Sequence, residues 1–226
     1  MSNSSPHPSK PSLHQLSTPR AAALAGVVFA LLNGATMILV RTRMPEGIQD
    51  SSAWVSSQAN GIRLAGVLMP FAGISFLWFI AVVRDGLGRF EDRFFATVFL
   101  GSGLLFLAMM FVSTVVAAGL VAINKAVIDP AAHAEVIDFG KMVVLAASKT
   151  YALRMAAVFM ISLATIWLKT RLMPRWLVAL TYLSALALLV ISDLSMWITL
   201  AFPVWVLVVS AFMLARAHKI EELRAR

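Results

Sequence analysis

Six stretches of this chain are too long and too apolar to be buried by a small water-soluble fold. They run over Ala21–Val40, Leu64–Val83, Phe94–Ala122, Thr150–Leu168, Trp176–Ile191 and Met196–Ala215. Crossing the hydrocarbon of a bilayer takes about 20 apolar residues in helical form, because it is about 30 Å thick and a helix rises about 1.5 Å per residue. Five of the six meet that length, and the fifth in order is short. Inside lipid a backbone must satisfy its own hydrogen bonds, so the expected fold is all-α, a polytopic bundle of six spans.

Composition agrees. The chain is 60% hydrophobic and only 13% charged, whereas a soluble domain is roughly 45–50% apolar and about 25% charged. The first span lacks an A-x-A-like cleavage site and exceeds the length of a secretory signal core, which marks it as a retained anchor. The residues before it, 1–20, are rich in Ser and Pro and read as a disordered cytoplasmic tail. Residues 21–215 form the transmembrane domain, and 216–226 extend the last span as a basic cytoplasmic helix suited to anionic lipid heads.

The net charge of +8 sits in short blocks between the apolar runs. It does not form the basic, aromatic-interleaved face of a nucleic-acid binder, so no nucleic-acid partner is expected. With the N-terminus inside, 12 of the 19 Lys and Arg fall on the cytoplasmic side. The positive-inside rule therefore favours a multi-pass plasma-membrane protein with both termini cytoplasmic. The "RTR" block at 41–43 runs against that assignment, since it puts two arginines in an outer loop.

Pro70 and Pro203 lie within spans two and six, where each would bend its helix. Trp167 and Trp176 flank a basic inner loop and suit the interface, while Trp78, Tyr182 and Trp205 lie deeper and suit helix packing. Before span four, Asp129–Pro130 makes a helix start, and Val136, Ile137, Gly140, Val143, Val144 and Ala147 recur at helical spacing. An amphipathic outer helix follows, either lying on the membrane surface or prolonging span four outward.

The motifs of familiar chemistries are missing. There is no cysteine, which removes thiolate ligands and disulfides. None of the four histidines, His7, His14, His133 and His218, falls in a span, so haem ligation is not expected, nor any other cofactor. No P-loop, H-E-x-x-H or G-x-S-x-G string is found. His133, Glu135 and Asp138 lack the spacing of a metal site and read as a solvated helix face, and no metal is expected. No Asp or Glu lies inside a span, which argues against a carboxylate proton relay. The inner loop "VVRDGLGRFEDRFF" carries both signs of charge and is a candidate docking surface for a cytoplasmic protein partner, although a solvated turn explains it as well.

Arg154 is the one charge set within an apolar run, near the outer end of span four. Snorkelling to outer head groups, pairing with Asp193, and binding a substrate anion all fit that depth. An enzyme acting on a lipid-like substrate would gather Arg154, Asp193, Tyr151 and His133 at one outer cavity. A non-enzymatic facilitator, sensory or accessory subunit would not, and the absent motifs favour that class.

The segments "RLAGVLMPFAGISFLWFIAVVRDGLG", "YALRMAAVF" and "LAFPVWVLVVS" resemble an uncharacterised family of six-span bacterial membrane proteins. The resemblance covers roughly residues 62–213 and implies a fold, a membrane and a bacterial origin. It implies no activity and no catalytic residues.

Overall fold

The structure, a computed structural model, describes residues 18–43, 51–87, 93–123, 130–171, 173–191 and 196–224. Among these residues all regular structure is helical: α1 (Thr18–Arg43), α2 (Ser51–Leu87), α3 (Arg93–Ile123), α4 (Pro130–Leu145), α5 (Leu153–Thr170), α6 (Arg175–Ile191) and α7 (Ala201–Arg224). A π-helical segment, Ala146–Ala152, joins α4 to α5, and a 3-10 turn, Met196–Leu200, leads into α7.

Five helical segments are long and apolar enough to cross a membrane: Ala23–Thr42, Ala59–Arg84, Phe94–Ile123, Ala134–Thr170 and Trp197–Ala215. The sixth apolar helix, over Arg175–Val190, is shorter. The expected outer helix does not lie apart from span four. It continues that span through the π segment, and 37 residues at 1.5 Å each reach about 55 Å, well beyond a hydrocarbon core.

The helices pack in the cyclic order α1, α2, α3, α5, α6, α7, with α7 returning to α1 and α4 lying against the C-terminal half of α3. At the centre stand Phe29 of α1, Phe76 of α2, Phe106 of α3, Phe159 of α5 and Phe202 of α7. Each of the five candidate spans contributes one of these rings. Phe76 meets the other four, with centroids 4.4 Å from Phe29, 5.6 Å from Phe106, 5.4 Å from Phe159 and 5.9 Å from Phe202. Tilted and edge-to-face rings at this range attract through their quadrupoles as well as by contact. In lipid, where burying apolar area gives little drive, such close packing is what favours one helix arrangement over others.

Gly26 lets α1 approach α7, since a Cβ there would run into the Ser210 hydroxyl and the Phe79 ring. Outward, the side chains are as apolar as the core: Val67, Phe71 and Ile74 on α2, Leu104 and Val115 on α3, Leu183 and Leu186 on α6. Trp78 belongs to this outer surface rather than to the interior, because α2 turns that position away from its neighbours. Trp167, expected at the interface, is instead buried with its indole 6.3 Å from that of Trp205. Pro203 does not bend a helix interior. It stands in the first turn of α7, where a missing N–H leaves nothing unpaired.

Candidate functional site

Most hydroxyls in the bundle turn back on their own helix. Thr36 donates to Leu32 O, Thr114 to Met110 O and Ser162 to Val158 O, each at 2.7–2.8 Å. Such bonds satisfy a polar group without tying helices together. Side-chain bonds also cross between helices, and two of them meet at the π segment.

Ser148, within that segment, donates its hydroxyl to Val144 O at 2.7 Å and accepts from Arg41 Nη2 at 3.1 Å. Ser113 of α3 reaches the same Val144 carbonyl at 3.2 Å. A π-bulge shifts the backbone ladder from i→i+4 to i→i+5 and disturbs the pairing of carbonyls at its edge. Hydroxyls approaching Val144 O from two helices are the natural response to that disturbance. Ser148 lies at helical spacing from Ile137, Lys141 and Val144 of α4, all buried.

Arg41 is 5% exposed and Lys141 8% exposed, and they are the buried ionisable side chains among the described residues. Both lie beside a small apolar cluster made of Val40, Ile62, Ala65, Ala117, Leu120, Val121, Ile137 and Val144. Further along α1, Thr36 and Asn33 are also buried, and Asn33 Oδ1 has no hydrogen-bond partner among the described residues. The polar interior therefore spans one end of the bundle and gives way to the phenylalanine centre. A guanidinium, an ammonium and two hydroxyls make this end suited to holding an anionic or strongly polar group.

The residues singled out by sequence fall elsewhere. Arg154 is half-buried and donates from Nη1 to its own helix at Thr150 O, 3.2 Å away. Tyr151 is 60% exposed and turned outward from the bundle. Asp193 lies outside the described residues, as does the side chain of His133, whose backbone belongs to the first turn of α4. No group of three or more His, Cys, Asp and Glu is placed to hold a metal among the described residues.

Arg41, which the sequence assigned to an outer loop, is thus a correction. Helix α1 continues to Arg43 and turns Arg41 inward onto Ser148, a residue 107 positions later. The remaining interhelical bonds are structural: Thr165 with Tyr182 at 2.7 Å, and Trp205 Nε1 donating to Thr181 Oγ1 at 3.0 Å. They bear out the packing role expected of Tyr182 and Trp205. At the opposite end of the bundle, the Lys169 ammonium sits 4.5 Å from the centroid of the Phe95 ring.

No protein-family model, curated protein or solved structure matches the chain.

Proposed function

We propose that this chain is a non-enzymatic, multi-pass integral protein of the plasma membrane, a sensory or accessory subunit. In this reading α6 is a sixth span and both termini are cytoplasmic. A helix of 17 residues covers about 25 Å, which tilt of its neighbours and local bilayer thinning accommodate. Its outward leucines and valine, Leu180, Leu183, Leu186 and Val190, recur at helical spacing as a lipid-facing stripe would. The resemblance to six-span bacterial membrane proteins belongs to the same proposal and adds no activity.

The observation that carries the reading is the aromatic centre beneath a polar end. A facilitator needs a wettable route from one face to the other. Here the buried Thr36 and Asn33 of α1 give way, one turn on, to Phe29, which packs on Phe76, itself packed against Phe106. One polar end and one dry centre suit a protein that recognises something at a single face and transmits it to partners. The alternative, an enzyme acting on a lipid-like substrate at the outer face, draws no support from Tyr151, whose side chain is exposed.

Purified chain reconstituted in liposomes tests the reading. The vesicles should hold trapped ions and small neutral solutes as tightly as protein-free vesicles. Sustained flux that scales with protein content and is altered by Arg41→Gln would replace it with the facilitator.

A further inference from the structure

We infer that the outer face between α2 and α3 holds one acyl chain of an anionic phospholipid, with Arg63 taking the headgroup phosphate. This rests on the membrane reading above and goes further by naming a lipid class and its seat.

A cavity of about 310 Å³ opens on that face, lined by Gly66, Met69, Pro70, Phe111, Thr114, Val115 and Ala118. Its origin is readable in the residue types. Gly66 and Ala118 bring almost no side chain to the helix contact, a Cβ on Gly66 standing 3.8 Å from that of Ala118. Below them Phe111 occupies the room left by Gly73 and closes the lower end. Met69 makes the buried floor, and the Thr114 hydroxyl is turned to Met110 O, so the lining is hydrocarbon in character.

What covers it follows from its surroundings. The lips continue into Val67, Phe71 and Val115, part of the apolar surface that faces outward. On that surface, within a bilayer, the available ligand is a lipid tail. The headgroup follows from charge. Arg63, Gly66 and Pro70 are spaced i, i+3 and i+7 and so share one stripe of α2, with Arg63 about 10 Å nearer the membrane boundary than Pro70. Arg63 is exposed, and no Asp or Glu occurs in α3 or in α2 before Asp85. A guanidinium just above a tail-sized groove, four residues inside the start of the Ala59–Arg84 segment, can snorkel to the level of phosphates and bind one bidentately.

The full chain in nanodiscs of equal phosphatidylglycerol and phosphatidylcholine, matched in tails, provides the test. Native mass spectrometry reads the lipid retained after gentle activation. The unmodified chain should retain phosphatidylglycerol in preference, by about fivefold for a single cation at the surface. Arg63→Gln should abolish the preference, while Arg175→Gln, at a distant exposed arginine, should leave it intact. Val115→Trp, placed at the exposed lip, should lower retention of both lipids. Equal retention of the two by the unmodified chain, or an equal loss in both arginine variants, would overturn the inference. So would unaltered retention in a folded Val115→Trp chain. If that variant does not fold, the two arginine variants decide alone. Release of the unmodified chain from membranes by alkaline carbonate would defeat the membrane reading itself, whereas an inserted chain without lipid preference defeats only this site.

Discussion

The centre of the bundle interior and one of its ends are held by different physics. The centre is built from Phe29, Phe76, Phe106, Phe159 and Phe202, which make no hydrogen-bonding demand and are held by contact and by the quadrupoles of their rings. The end around the π segment buries Arg41 and Lys141 and is organised by directional bonds from Arg41 to Ser148 and from two serines to Val144 O. Ring packing tolerates small changes of rotamer but not loss of volume. A hydrogen-bonded cluster tolerates little change of chemistry, because a buried donor or acceptor left without a partner is penalised.

The largest expected effect is at the centre. Phe76→Ala removes the ring that touches the other four, and truncation of a buried Phe in a core gives losses of 3–5 kcal/mol or so in water. In lipid the transfer part shrinks, so about 3 kcal/mol is expected in an SDS titration of mixed micelles. Little or no loss would mean that the rings fill space without organising the bundle. Next comes Arg41→Gln, expected to weaken the fold by about 2 kcal/mol, as hydrogen bonds to a buried guanidinium are lost. If that variant unfolds at the wild-type SDS fraction, the contrast between the centre and the polar end disappears.

A finer test uses pairs. Ser148→Ala should be non-additive with Arg41→Gln by roughly 0.5 kcal/mol or more, since the two share one bond, yet additive with Trp205→Phe. Strict additivity of the first pair would show that the Arg41 to Ser148 bond carries no energy of its own. The smallest effect is expected for Thr181→Val, which keeps the side-chain volume and removes the acceptor of the Trp205 indole. About 0.6 kcal/mol is typical for interhelical hydrogen bonds in membranes, and a loss several times larger would mean that the bond also holds the indole against Trp167 and Phe202.

The same contrast explains what could be read from sequence. The helices were legible because their determinant is local: a run of apolar residues of sufficient length is visible at once, and α3 and α6 match their expected limits within a residue or so. The buried basic cluster was not legible. Arg41 stands at the end of an apolar run beside another arginine, which is how an outer loop begins, and nothing nearby signals that the helix continues. Its partner Ser148 lies 107 residues on, inside a change of helical pitch that leaves no mark on hydrophobic periodicity. Arg154 drew attention for the opposite reason, a charge amid alanine and leucine, yet it donates back along the chain to Thr150 O. One usable signal was available: the "RTR" block that opposed the positive-inside count. A basic block on the wrong side is accounted for in part when one of its arginines faces inward.

The meeting of Phe202 with Phe29 has a consequence for how the protein is made. Those rings lie 6.0 Å apart yet come from the last and first helices of the chain. On the membrane reading, α1 would enter the bilayer with its share of the centre open to lipid and would stay so until α7 arrives. The bundle therefore has no finished core at any intermediate length. Quality-control proteases that survey the membrane would find every shortened product incomplete in the same place.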